Sequence, residues 1–124
     1  MYRVIKNKDF KFKKRNKYGA NKKEYNGRYY HSQLEAKVAQ DLDWRLKAKD
    51  IKEVIPQFKI SLDVNGKHIA NYFVDFKVIH NDNSIEYIEV KGLELEVWRL
   101  KWLLFEALLP NLHPNEEVKL TVIK

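Results

Sequence analysis

The spacing of apolar residues changes along residues 32–124, and the order of these changes is what most constrains the fold. A repeat every four residues comes first and predicts a helix over about residues 33–49, carried by Leu34, Val38, Leu42 and Leu46. Ser32 and Glu35 stand at the spacing of a capping box, so the helix is expected to begin after Ser32.

Three segments with strand character follow this helix, with turn residues between them. They run from about Val54 to Leu62, Ile69 to Ile79 and Ser84 to Val90. A second helical repeat is expected to end before Pro110, and it consists of Val97, Leu100, Leu104 and Leu108. Alternation then predicts a last strand at Val118, Leu120 and Val122.

The predicted order is therefore helix, three strands, helix, strand. A helix that joins the third strand to the last forms a crossover between parallel strands, whereas hairpins pair the first three antiparallel. This predicts an α/β fold with a mixed four-stranded sheet flanked by helices. A chain of 124 residues with 44% hydrophobic content can bury one core, so we expect one domain over residues 25–124.

Residues 1–24 lack a sustained apolar period and are expected to form a basic arm. Residues 1–30 carry eleven Lys or Arg against two acidic residues, a formal charge of +9, whereas the remainder carries −2. Such an arm favours a polyanionic partner, because contacts with phosphates release counterions. If that partner is a nucleic acid, Lys13, Lys14 and Arg15 are expected to grip its backbone. The alternative is a solvated tail that only aids solubility.

Composition also limits the cofactor and the compartment. Without cysteine there is no thiolate ligand, and the histidines lack the paired spacing of a zinc site. A metal would therefore be held mainly by oxygen, which favours Mg²⁺ or Mn²⁺. The longest apolar stretches, such as residues 102–109, are much shorter than the roughly 20 residues of a spanning helix, so a cytoplasmic protein is expected.

The candidate chemistry lies on the second and third predicted strands. Glu89 and Lys91 are two positions apart and should share a face of the third strand, and Asp75 stands in the neighbouring strand. Tyr72, Val74, Phe76 and Val78 are expected together on the face opposite Asp75. Two carboxylates can hold a divalent cation that acts on a phosphodiester, and a lysine can assist the attacking water. The alternative is an exposed cross-strand ion pair.

The segments Val74-Asp75-Phe76 and Ile88-Glu89-Val90-Lys91-Gly92 resemble the bipartite motif of PD-(D/E)XK nucleases. The order of elements is that of the restriction-endonuclease-like αβββαβ core. The strict proline before Asp75 is absent, with Val74 in its place. The resemblance is closest to small phage-type nucleases akin to RecU-like Holliday junction resolvases and the nuclease subunit of Tn7-type transposases, through residues 31–36, 56–58, 72–76 and 89–92.

This resemblance implies specific residue roles. Catalysis would depend on Glu35, Asp75, Glu89 and Lys91, and the metal would be held at Glu35, Asp75, Glu89 and Val90. Gln57 is expected to reach the substrate or the metal-bound water, and Arg99 and Lys101 are expected to meet the phosphates. The alternatives are a capping role for Glu35 and solvated surface positions for the other three.

The sequence thus predicts a Mg²⁺-dependent endodeoxyribonuclease, with branched DNA or recombination intermediates among its expected substrates. Cutting two strands symmetrically needs two active sites, so the resemblance implies a homodimer, whereas a monomer is expected to nick. One alternative is a DNA-binding or assembly module on the same fold that has lost catalysis. Another is an RNA-binding protein whose acidic residues are coincidental.

Overall fold

The computed structural model describes residues 2–7, 23–25, 28–30 and 33–124, with side chains described from residue 33 onward. These residues form two helices and seven strands, in the order β1 Tyr2–Asn7, β2 Lys23–Tyr25, β3 Arg28–Tyr30, α1 Gln33–Lys47, β4 Ile51–Val64, β5 Lys67–His80, β6 Ile85–Val90, α2 Glu96–Leu112 and β7 Val118–Ile123.

The main sheet has the strand order β1-β7-β6-β5-β4. Strands β4, β5 and β6 pair antiparallel in two hairpins, whereas β6 and β7 pair parallel and are joined by α2. From α1 to β7, the chain therefore has the αβββαβ order and the mixed four-stranded sheet that the sequence predicted. Each predicted helix and strand is present, with ends that shift by a few residues.

Strand β1 adds a fifth strand, which the sequence analysis did not predict. It pairs parallel to β7, with Tyr2 opposite Val118 and Asn7 opposite Ile123. Its pairing covers the edge that β7 would otherwise expose, because an unpaired edge strand presents free main-chain hydrogen-bonding groups. The predicted boundary between arm and domain at residue 24 stays a prediction. Strands β2 and β3 form a separate antiparallel pair.

Helix α2 continues past the position where the sequence predicted its end. Pro110 lies inside the helix, which ends at Leu112. A proline inside a helix removes one main-chain hydrogen bond, but here it falls in the last turn, where little helix remains to be disrupted. The N–H of His113 then donates to the carbonyl oxygen of Leu109 at 2.8 Å, which closes the end of the helix.

The sheet is covered by one helix on each face. Helix α2 contributes Trp102, Phe105 and Leu109 to one core cluster, and α1 contributes Ala36, Val38, Ala39 and Leu42 to the other. Strand β6 alternates between them, since Tyr87 belongs to the α2 cluster and Ile88 to the α1 cluster.

Strand β5 does not keep one face throughout, contrary to the sequence prediction. Tyr72 and Val74 pack in the α2 cluster, whereas Phe76 and Val78 pack in the α1 cluster. Alternate residues of β5 therefore face α2 up to Val74 and face α1 from Phe76 onward. Asp75 lies at this change, between Val74 and Phe76.

Among the described residues, neither helix has the length and apolar content needed to cross a membrane.

Candidate functional site

The site begins at an irregularity where β4 runs beside β5. Pro56 lies opposite Phe76 and Phe58 lies opposite Val74, so Gln57 faces Asp75 in the register between them. Gln57 has a φ of 50°, a left-handed conformation that a residue with a side chain rarely adopts in a strand. Such backbone strain costs on the order of 1 to 3 kcal/mol and is concentrated at functional sites.

The main-chain pairing of β5 with β6 stops next to Asp75, the residue that Gln57 faces. The regular register ends with Phe76 opposite Ile88. Beyond it, the main-chain N–H of Asp75 donates to Oε1 of Glu89 at 3.3 Å, and the main-chain N–H of Val90 donates to Oδ2 of Asp75 at 2.8 Å. Here the carboxylates of Glu89 and Asp75, rather than main-chain carbonyl oxygens, accept hydrogen bonds from these main-chain N–H groups. The result is that Asp75, Glu89 and Val90 are held together.

Helix α1 brings a third carboxylate to this point. Glu35 lies in the first turn of the helix and is only 5% exposed. The Nε2 group of Gln57 donates to Oε2 of Glu35 at 3.2 Å and to Oδ1 of Asp75 at 3.1 Å. One amide therefore bridges the two carboxylates. Ser32 lies outside the described residues, so the predicted capping box stays a prediction.

Glu89 is the most deeply buried of the three carboxylates, with 3% of its surface exposed. Its Oε1 accepts a hydrogen bond from the Tyr72 hydroxyl at 2.8 Å, and its Oε2 lies 3.6 Å from Nζ of Lys91. Burial, followed by the negative charge of Asp75, raises the pKa of Glu89 to about 8. The exposed ion pair considered as an alternative is therefore not what the structure forms, because Glu89 is in the interior.

Two further side chains, Tyr72 and Trp98, contact the site, and the sequence analysis gave neither of them a place in it. The indole Nε1 of Trp98 lies 3.4 Å from the Tyr72 hydroxyl, and Nζ of Lys91 lies 5.1 Å from the centroid of the Trp98 ring. Burial, then the nearby charge of Glu89, raises the pKa of Tyr72 and keeps its hydroxyl protonated. A tyrosine at a core position was the available signal, because a buried hydroxyl needs a partner.

The residues predicted to bind phosphates contact other parts of the protein than the carboxylates of the site, where the structure describes them. Arg99 is exposed on α2, with Nη2 3.7 Å from Oε1 of Glu94. Lys101 donates from Nζ to the main-chain oxygen of Asn71 at 3.1 Å. The arm residues Lys13, Lys14 and Arg15 lie outside the described residues. Roles in substrate binding stay predictions for all five.

The donor chemistry of the site fits a hard cation, since Glu35, Asp75 and Glu89 all offer carboxylate oxygens. Within residues 33–124 and the other described segments, no three His, Cys, Asp or Glu side chains are already grouped closely enough to hold one metal ion. The Gln57 amide lies between Glu35 and Asp75 and donates to both carboxylates.

A comparison with known protein families assigns the chain to one of them. The model of one family matches residues 15–124, which include every residue of the site. The chain belongs to the DUF1064 family. The description of DUF1064 is "Protein of unknown function", so membership assigns no activity to the site. No curated protein and no solved structure matches this DUF1064 chain.

Proposed function

We propose that the protein is a metal-dependent DNA endonuclease of the PD-(D/E)XK type, which hydrolyses phosphodiester bonds. The observation that carries this proposal is the convergence of Glu35, Asp75 and Glu89, from α1, β5 and β6, with Lys91 beside them. These four residues are the ones that the resemblance to that superfamily implies.

The burial of the carboxylates supports a cation-binding site rather than a purely structural role. Two of the three carboxylates are nearly fully buried, and burial of like charges destabilises a fold unless a cation or a proton offsets it. Gln57 donates its neutral amide to both Glu35 and Asp75. A titratable group that is strongly perturbed by burial and by a neighbouring charge is typical of functional sites. The arrangement is therefore suited to receive a divalent cation.

The residues that would hold the metal are Glu35, Asp75 and Glu89, with the main chain of Val90 next to Asp75. Mg²⁺ or Mn²⁺ bound there would act as a Lewis acid toward the scissile phosphate. The strained Gln57 would exchange its contacts with the carboxylates for contacts with water or substrate.

Lys91 would act directly on the reacting groups. Its ammonium lies close to Glu89, and a quarter of the Lys91 side chain is exposed. A phosphate can therefore reach the ammonium. It would offset negative charge on the phosphate and orient the attacking water. In the reaction, the water oxygen bonds to phosphorus and one P–O ester bond breaks, which leaves a phosphate end and a hydroxyl end.

The setting that we propose follows from this activity. The enzyme would act in the cytoplasm of a bacterial cell or of a phage-infected host, on DNA that includes recombination intermediates. A homodimer would cut two strands, and a monomer would nick.

The direct test is cleavage of a supercoiled plasmid and of labelled duplex, four-way junction, flap and single-stranded DNA, each with Mg²⁺, Mn²⁺ or EDTA. We expect nicked or linear products that require the metal. Binding without cleavage of any of these substrates would overturn the nuclease proposal and favour the inactive DNA-binding module.

Glu35→Gln separates the two roles considered for Glu35. Glutamine is an accepted partner in a capping box, and its carbonyl oxygen can still accept from Gln57, so thermal unfolding should be near that of wild type. The loss of a metal-ligand charge should reduce cleavage by at least about tenfold, equivalent to about 1.4 kcal/mol. Cleavage at the wild-type rate would confine the metal site to Asp75 and Glu89.

Neutralising the arm should weaken DNA binding without loss of the fold. Because β1 pairs with β7, we propose the triple substitution Lys13→Gln, Lys14→Gln and Arg15→Gln rather than a deletion. The logarithm of the DNA-binding constant falls as the logarithm of the salt concentration rises. With up to three fewer neutralised phosphates, this slope should become less steep by as much as about 2.7. A slope unchanged in binding titrations from low to moderate salt would locate the DNA contacts on the domain instead.

A further inference from the structure

A continuous set of contacts joins helix α2 to the buried carboxylate of Glu89. Trp98, near the start of α2, places its indole Nε1 3.4 Å from the hydroxyl oxygen of Tyr72. Tyr72 is 4% exposed, and its hydroxyl donates to Oε1 of Glu89 at 2.8 Å. The indole N–H can only donate, whereas a tyrosine hydroxyl can donate or accept. Trp98 therefore occupies an acceptor position of Tyr72 and directs the hydroxyl proton toward Glu89.

Trp98 also contacts the second partner of Glu89. The ammonium of Lys91 lies 5.1 Å from the centroid of the indole ring and 3.6 Å from Oε2 of Glu89. A cation over the face of tryptophan is attracted by the ring. Tyr72 therefore contacts Oε1 of Glu89 and Lys91 contacts Oε2, and both of these side chains also contact Trp98. The main-chain N–H of Asp75 is a further donor to Oε1.

We propose that Trp98 is a positioning residue for the nuclease reaction. It fixes the orientation of the Glu89 carboxylate through Tyr72 and holds the Lys91 ammonium over its ring. This inference rests on the proposed function. Groups that orient metal ligands from behind commonly affect metal affinity or activity by 10- to 100-fold. Trp98 is therefore expected to determine both how tightly the metal binds and how fast DNA is cut.

Packing is the competing role, because the Trp98 ring stacks on Trp102 with centroids 5.9 Å apart. Phenylalanine at position 98 would keep an aromatic ring against Trp102 and remove the N–H. Tyr72→Phe would remove only the hydroxyl. Trp102 is the matched control, since it lies on the same helix, makes a T-shaped ring contact with Tyr72 and is 6% exposed.

The experiment uses the full chain and four proteins: wild type, Trp98→Phe, Tyr72→Phe and Trp102→Phe. Calorimetry with Mg²⁺ or Mn²⁺ alone gives metal affinity, and kinetics on a cleavable DNA gives kcat and KM separately. We expect Trp98→Phe and Tyr72→Phe each to weaken metal binding or lower kcat by at least about tenfold, with KM for DNA within about twofold. Trp102→Phe should stay within about twofold of wild type in each quantity.

The outcomes separate this inference from the proposed function. Wild type that binds metal and cuts DNA, together with an unaffected Trp98→Phe variant, overturns the positioning role and leaves the nuclease standing. Equal losses in Trp98→Phe and Trp102→Phe would also overturn it, because they would show general packing damage. Wild type that neither binds metal nor cuts DNA would instead refute the proposed function itself.

Discussion

Asp75→Asn and Glu89→Gln should each reduce Mg²⁺-dependent DNA cleavage by at least about a thousandfold, equivalent to about 4 kcal/mol of transition-state stabilisation. Each substitution removes one ligand charge from the centre of the site and leaves the shape of the side chain unchanged. Asparagine at position 75 can still accept from the Val90 N–H through its one amide oxygen, and its amide nitrogen can donate to the side-chain oxygen of Gln57, so the strands should stay in place. DNA affinity should be retained or increase, because a negative charge that repels phosphates is removed.

The measurement is single-turnover cleavage of labelled DNA, with binding measured on the same substrate in Ca²⁺ or EDTA. Glu86→Gln is the matched control, because Glu86 is a buried carboxylate on the same strand that contacts His80 and Thr121 instead of Asp75. Its cleavage rate should stay within about tenfold of wild type. A wild-type rate in either site variant would show that the metal centre is placed wrongly.

Glu89→Gln should also stabilise the metal-free protein relative to wild type near pH 8, by on the order of 1 kcal/mol or more. Folding raises the pKa of Glu89 from 4.5 to about 8 through burial and the charge of Asp75. A group whose pKa is raised on folding contributes stability that is fully present below the unfolded pKa and is lost as the pH rises through the folded pKa. The contribution from Glu89 is therefore complete below about pH 4.5 and lost by about pH 8.

Chemical denaturation of metal-free wild type and Glu89→Gln at pH 5, 6.5 and 8 tests this prediction. The stability advantage of the variant should grow with pH across this window. Mg²⁺ at about a hundredfold over its Kd should stabilise wild type by about 2.7 kcal/mol and have little effect on the variant. A variant less stable than wild type at pH 8, with the same deficit at pH 5, would mean that Glu89 serves the fold rather than a cation.

The order of elements could be predicted from the sequence because it depends on local spacing. The repeat from Leu34 to Leu46 and the alternation at residues 118–122 each arise from the period of one element. The antiparallel hairpins and the parallel crossover follow from the lengths of the connections. The proximity of Asp75 and Glu89 was predicted in the same way, because a hairpin brings neighbouring strands together.

The remaining features depend on contacts between residues distant in the sequence. Strand β1 forms only because β7, more than a hundred positions later, offers an edge. Gln57 adopts its φ of 50° where β4 meets β5, and no local pattern marks that position. A strict period of two placed Tyr72 and Phe76 on one face, but the change of face at Asp75 separates them.

The same reason explains why the sequence analysis gave Trp98 and Tyr72 no place in the site. Periodicity predicts that a side chain is buried but not which polar atom it meets there. That the Tyr72 hydroxyl reaches Glu89, and that the Trp98 indole lies beside both Tyr72 and Lys91, is decided by how α2 packs on the sheet. Burial is encoded locally, whereas the partners of a buried polar group are set by the tertiary arrangement, because they come from separate elements.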